Sequence, residues 1–363
     1  MSSDALPRLP RRIPDAESET QLLQIRREAE SRGRVEGMGI RPAGAPFPQA
    51  SPQTGYYGIH LLKEPQWKPT VPLYFFLGGA AGSAAVIGAV CDWLDRDPDM
   101  AQHARWLAMG GAMASSALLI EDLGRPSRFL NMLRVFKVQS PMSMGAWTLA
   151  AFGAFSTASA FAKAAERRLG RHFPIQIVGN FSQFFSALFG LPFHNYTGVL
   201  IGATAIPVWN QNIQTLPIHF GMSGVQAGVS LLEMMGHQDS RALNLLAIVS
   251  ALWETWEGFH LETRQEAALK PLKQGVSGWI TRTGGVLSGP LPLCLRILGG
   301  SSSRVRRWAA ISGILGSLLT RYGWIRAGSS SAQDWRLPLQ IPEEQSAASQ
   351  EPQALEQELR SAA

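Results

Sequence analysis

The sequence predicts an all-α integral membrane protein, a bundle of about eight transmembrane helices, and three observations carry that expectation. The segments 71–91 and 138–162 contain no Asp, Glu, Lys or Arg. The segment 173–232 runs for 60 residues without one. A bilayer core about 30 Å thick takes roughly 20 helical residues, so a run of that length fits three spans with tight turns. Bulk numbers conceal this pattern. Mean hydropathy is −0.00 and charged residues make up 17%, because Arg, Glu, Gln, Ser and Pro are gathered into two tails of disorder-type composition.

Taken in order, the expected spans are 71–93, 104–121, 142–163, 174–191, 195–211, 215–235, 241–262 and 305–325. The first three follow from uninterrupted apolar runs. The next three come from cutting the long neutral run at Pro192 and again at the polar stretch Asn210 to Gln214, with Pro217 opening the sixth. The seventh ends in Glu254 and Glu257, and the eighth lies between Arg307 and Arg321, whose side chains can snorkel. The segment 276–298 is apolar but broken by Gly278, Gly284, Gly285, Gly289, Pro290 and Pro292, and reads as an interfacial or re-entrant piece. The organisation expected is a polar tail over 1–65, a transmembrane domain over 66–327 with an interfacial segment at 264–304, and an acidic tail over 328–363.

The net charge of +6 and a pI near 9.6 suit basic loops that orient helices better than nucleic-acid binding, since no basic, aromatic-bearing motif accompanies the charge. Cys91 and Cys294 are too few for a Cys-ligated iron–sulfur cluster or structural zinc. Arg8, Arg11 and Arg12 are not followed by an apolar stretch until residue 71, so the first span is expected to direct insertion. On the eight-span topology, Lys163, Arg167, Arg168, Arg171, Arg264, Lys270, Lys273, Arg282, Arg296, Arg304, Arg306 and Arg307 share one side. That set outnumbers Arg125, Arg128, Arg134 and Lys137, which places both termini in the periplasm or exterior and the protein in the cell inner membrane.

Chemistry is densest after the second span, in Glu121-Asp122-Leu123-Gly124-Arg125-Pro126-Ser127-Arg128. A carboxylate pair at the end of an apolar helix is partly desolvated and suited to exchanging protons with a substrate arriving from the bilayer; the plainer reading is a charged cap whose members pair with one another. Tyr74 and Tyr196 open their expected spans at the same depth as Glu121 and Asp122, either as interfacial anchors or as walls of one pocket. Glu254, Glu257 and His260 recur at three-residue spacing on one helical face, with His219 and Glu233 nearby. They read as half of a proton route or as solvated charges at a helix end. The histidines offer no pair at matching depth for haem.

The stretch from Ile120 to Phe129, followed by Ser140-Pro141-Met142-Ser143-Met144-Gly145-Ala146-Trp147, resembles the signature of the NrfD/polysulfide reductase membrane-subunit family. Pro72 to Gly82 resembles that family's first helix, and Tyr196-Thr197-Gly198-Val199-Leu200 its fifth, the resemblance extending over 55–325. It implies an eight-helix subunit of a respiratory oxidoreductase complex that reacts with quinone or menaquinone as an exchangeable substrate. The subunit would carry no haem or iron–sulfur cluster of its own. It would exchange electrons with a docked, ferredoxin-like, four-cluster iron–sulfur subunit, accompanied by a molybdopterin or other catalytic subunit. The resemblance associates Tyr74 and Tyr196 with the quinone head group, and the residues themselves then suggest Glu121 and Asp122 as proton-handling acids and Arg125 as a further quinone contact. Arg128, Arg134 and Lys137 would dock the partner, and Glu254, Glu257 and His260 would carry protons. The competing readings are a secondary transporter or ion pathway, and a passive membrane anchor; no repeat of the first four spans in the last four supports transport.

Overall fold

The computed structural model describes residues 61–339 apart from 124, 171, 300, 301 and 335, together with residues 20, 23, 24 and 27. The expected N-terminal tail therefore lies almost wholly outside the described residues, whereas 328–333 of the expected C-terminal tail continue the last long helix, with Gly328, Ser331 and Ala332 buried. The chain is all-helical, 84% helix with no strand among the described residues. Its long helices are α1 (Thr70–Trp93), α2 (Pro98–Asp122), α3 (Pro141–Leu169), α4 (Phe173–Gly202), α5 (Leu216–Leu232), α6 (Arg241–Thr263), α7 (Gly275–Ser288), α8 (Pro290–Leu298) and α9 (Ser303–Gln333). Among the described residues, α1 is long and apolar enough to cross a membrane by length and composition.

Local sequence explains where the helices begin. Asp97 caps α2 by accepting from the Met100 N–H at 2.9 Å, and Pro98 takes the first turn, where its missing N–H costs nothing. Ser140 with Pro141 does the same for α3, and Ser240 caps α6. Small residues set the packing. A methyl group on Gly82 of α1 would come within 2.7 Å of the Gly190 carbonyl of α4, so only glycine permits this approach. α5 packs on α1 and α4 as well as on α6 and α9, and α9 also reaches α1, which joins the helices into one bundle.

Two expected elements are revised. The fourth and fifth spans are one helix, because α4 continues through Pro192. Proline removes one helical hydrogen bond, a loss that helices of a packed bundle tolerate, and Pro192 lies on the exposed face of α4. The segment 276–298, expected to be interfacial, forms α7 and α8, which meet at Gly289 and pack along α9.

These revisions reverse the placement of several loops. The turn after α5 meets the start of α2, where the His237 ring contacts Asp97 at 3.5 Å and His103 at 2.7 Å. The bend after α6 lies instead at the Asp122 end, with the Arg264 guanidinium donating to Asn212 at 2.9 Å. Arg264 and Lys273, which donates to the Arg264 carbonyl, therefore join Arg125, Arg128, Arg134 and Lys137 at that end. The charge asymmetry expected to orient the termini is narrowed by this shift.

Candidate functional site

The chain enters the bundle and leaves α2 at one end, and there Lys68 ties the two together. Its backbone N–H donates to Asp122 Oδ1 at 3.2 Å and its Nζ donates to the Glu121 carbonyl at 3.1 Å. A carboxylate on the last residue of α2 opposes the helix dipole, and no basic residue occupies that last turn. Such a placement costs about 0.3–1 kcal/mol, so local helix stability does not account for it.

Asp122 lines a cavity of about 100 Å³ together with Trp67, Tyr74, Tyr196, Met132 and Gly145. Tyr74 is buried on α1, and Tyr196 comes from the final turns of α4 rather than from the start of a fifth span. Both tyrosines thus stand at the depth of Asp122, as expected, though the chain reaches Tyr196 from the opposite direction. The buried Tyr196 hydroxyl has no hydrogen-bond partner among the described residues. Trp67 closes one wall, stacked on Trp209 with centroids 5.2 Å apart and edge-on to Phe75.

Gly145 holds the tyrosine in place. A Cβ there would sit 2.2 Å from the Tyr196 ring, so the ring occupies the space that every other residue would fill. Gly145→Ala is expected to lower stability by about 1–3 kcal/mol through overpacking. In a Tyr196→Leu background the same change is expected to cost far less. Thermal unfolding of the four variants in a double-mutant cycle measures the difference, and additive losses would separate the two residues.

Other expected site residues fall elsewhere. Glu121 is exposed and does not line the cavity, because consecutive helical residues point about 100° apart. Arg125 is also exposed and outside the lining. Arg128, Arg134 and Lys137 are exposed on the loop between α2 and α3, beside the exposed apolar side chains of Leu130, Val135, Phe136 and Val138. The expected pairing of acids with arginines gives way to the Lys68 contacts. Sequence reasoning missed Trp67, Met132 and the role of Gly145; an aromatic residue just ahead of the first charge-free run was the available signal for Trp67.

Glu254 and Glu257, for which solvation at a helix end was the plainer reading, are 2% and 4% exposed. They share the face of α6 formed by Leu243, Ala247, Ser250, Ala251 and Leu261, which turns into the bundle. Glu254 Oε2 accepts from Ser288 Oγ at 3.0 Å, and its Oε1 lies 3.6 Å from His219 Nδ1 on α5. His260 is half-buried and stacks on Trp256 with centroids 5.3 Å apart. Among the described residues, no group of three or more His, Cys, Asp or Glu is placed to hold a metal ion.

No curated protein matches the chain. The family model described as polysulphide reductase, NrfD, matches residues 62–241, which takes in α1 to α5 and every residue named above as lining the cavity. The resemblance expected over 55–325 is thus matched across the first part of that range, ending where α6 begins. Proteins of this family are membrane subunits of polysulfide- and nitrite-reductase-type complexes, and over residues 62–241 this chain belongs to the polysulphide reductase NrfD family.

Proposed function

We propose that the chain is the quinone-reactive membrane subunit of a respiratory oxidoreductase, passing electrons between quinol and a docked iron–sulfur protein. The observation that carries this reading is the convergence of Tyr74, Asp122 and Tyr196 on one cavity at the end of the bundle. Oxidation of a quinol releases two electrons and two protons. Its two oxygens need hydrogen-bond partners and its protons need an acceptor. The phenols supply the first, and Asp122, at the edge of the cavity and next to the Lys68 backbone, supplies the second. The ring would enter beside Trp67 and Met142, whose side chain is 60% exposed.

The electrons leave one at a time to the iron–sulfur partner. The loop between α2 and α3 supports its docking there, since Arg128, Arg134 and Lys137 surround exposed apolar side chains close to the cavity. Such a mixture of basic and apolar groups suits a protein surface better than water alone. Glu254, Glu257 and His260 belong to the linked proton transfer in this reading. Acids buried inside a bundle are costly and persist where they carry protons or charge.

A photoreactive quinone analogue tests the assignment in the purified complex. Labelling is expected on the peptides that contain Trp67 to Tyr74 and Tyr196, suppressed by excess quinone. A second apolar crevice of about 300 Å³ lies between α1, α4, α5 and α6, lined by Val86, Leu191, Val225 and Leu246. Labelling confined to that crevice would overturn the site.

A further inference from the structure

The apolar crevice between α1, α4, α5 and α6 differs from the tyrosine cavity in depth, in outlook and in the polar groups it holds. On α1 it is lined from Ser83 to Cys91. Ser83 follows Tyr74 by nine residues, about 14 Å along the helix. The crevice therefore occupies the other half of a hydrocarbon core about 30 Å thick. Leu191 of α4 and Leu246 of α6 are exposed at its edges, so it opens sideways toward lipid. Among the described residues, no charged side chain lines it.

His194 is the exception in this apolar wall. It is level with Gly82 of α1, where a Cβ would meet the His194 backbone nitrogen at 2.8 Å. Its Nδ1 meets the Leu191 carbonyl. A carbonyl only accepts, so Nδ1 carries the hydrogen, and in the neutral ring Nε2 is then an acceptor. No hydrogen bond reaches Nε2 among the described residues. That nitrogen lies beside Gly221 of α5, one turn before Val225 of the crevice wall, and a Cβ on Gly221 would come within 3.3 Å of it. The other polar atoms are occupied or weak. Ser83 Oγ donates to the Gly79 carbonyl of its own helix at 2.9 Å, and Cys91 offers a thiol, a weak donor and acceptor. One acceptor at the inner end of an apolar crevice selects its ligand. A phosphate or carboxylate finds no positive charge to meet, and an ammonium group finds no carboxylate. A wholly apolar chain fills the space but leaves Nε2 without a partner, which is unfavourable away from water. A neutral hydroxyl on an apolar body meets both requirements.

We propose that this crevice is a second binding site, for a neutral apolar molecule ending in a hydroxyl group that donates to His194 Nε2 while its body lies along Val86, Val90 and Leu246. Two sources in a membrane carry that chemistry: the ring hydroxyls of a quinol, and the free hydroxyl of a diacylglycerol or long-chain alcohol. Binding forms and breaks no covalent bond. The ligand also accounts for a histidine at this place in α4. An ionisable side chain at mid-membrane depth is costly and marks a ligand or a path, and among the described residues His194 pairs with no acid. Recognition here depends on the bundle spanning a membrane, and not on the chemistry of the tyrosine cavity.

The full chain in nanodiscs of phosphatidylcholine, a lipid without free hydroxyl groups, tests this with two probes: hexadecanol bearing a diazirine midway along its chain, and the methyl ether of the same molecule. The alcohol is expected to label the peptides that contain Val86 to Val90 and Ala242 to Leu246 about fivefold more than the ether, as one net hydrogen bond gives. His194→Phe is expected to bring the alcohol down to the level of the ether. Equal labelling by both probes in the unaltered chain, or a preference that survives His194→Phe, overturns the proposal. If His194→Phe does not fold, Leu246→Trp at the exposed edge decides. It is expected to abolish the preference by filling the mouth, and a preference that persists places the probe elsewhere and overturns the site. Excess menaquinol and excess diacylglycerol, added separately, distinguish the sources. Suppression of the alcohol's labelling by either supports the site and names its ligand, and suppression by neither overturns it. Neither probe carries a quinone ring, so the result is independent of quinone photolabelling at Trp67 to Tyr74, and the two readings fail separately.

Discussion

Asp122→Asn is expected to lower quinol-linked reduction of the iron–sulfur partner about a hundredfold, mostly in kcat. A positioned acid or base contributes roughly 10²–10⁴ to such a reaction, and among the described residues Asp122 is the carboxylate that lines the cavity shared by Tyr74 and Tyr196. The fold should survive, because an asparagine oxygen still accepts the Lys68 N–H that Asp122 Oδ1 accepts at 3.2 Å. Removing a negative charge from the end of α2 should even favour the helix slightly. Glu121→Gln provides the contrast. Glu121 is exposed, and its link to Lys68 runs through its carbonyl rather than its side chain, so its turnover should remain within about twofold of the unaltered complex. Rapid-mixing reduction of the partner, with unfolding temperatures alongside, measures both. Equal effects from the two variants would show that the acids act only through general charge.

Arg296→Met is expected to be the most destabilising single change among α5 to α9. Both members of the Glu233–Arg296 pair have fully buried side chains. Removing one partner leaves an uncompensated buried charge, worth about 3–5 kcal/mol. It also strips Asn244 of the donor it accepts from at 3.0 Å. Replacing both members, Glu233→Leu with Arg296→Met, is expected to recover most of the loss, since a buried pair is commonly close to neutral against apolar residues of similar size. Chemical or thermal unfolding in detergent gives the comparison. A double variant as unstable as the single one would mean that the pair holds the α5–α8 contact in a way apolar packing cannot replace.

Local patterns in the chain account for much of the fold. The charge-free segments 71–91 and 138–162 became the apolar parts of α1 and α3, and Asp97-Pro98 and Ser140-Pro141 opened helices where capping chemistry says they should. Spacing along the chain also marked the polar residues of α6 as one face. What it could not show was which way that face turned, since a helical stripe of Glu254, Glu257 and His260 reads the same whether solvent or another helix covers it.

Composition and short-range spacing thus determined that this protein is helical, that it has long charge-free stretches, and that its acids and tyrosines gather near helix ends. Only tertiary structure decided how they combine. Whether Pro192 ends a helix depends on how α4 packs on α1, α3 and α5, and that single continuation moved the bend after α6 to the other end of the bundle. The partition between adjacent Glu121 and Asp122 follows from the helical turn angle and from where α1 and α3 close in. The Tyr196 ring lies over Gly145, 51 positions earlier, because two helices approach to a distance no side chain would allow. Such contacts arise from packing between distant segments, which spacing within one segment does not encode.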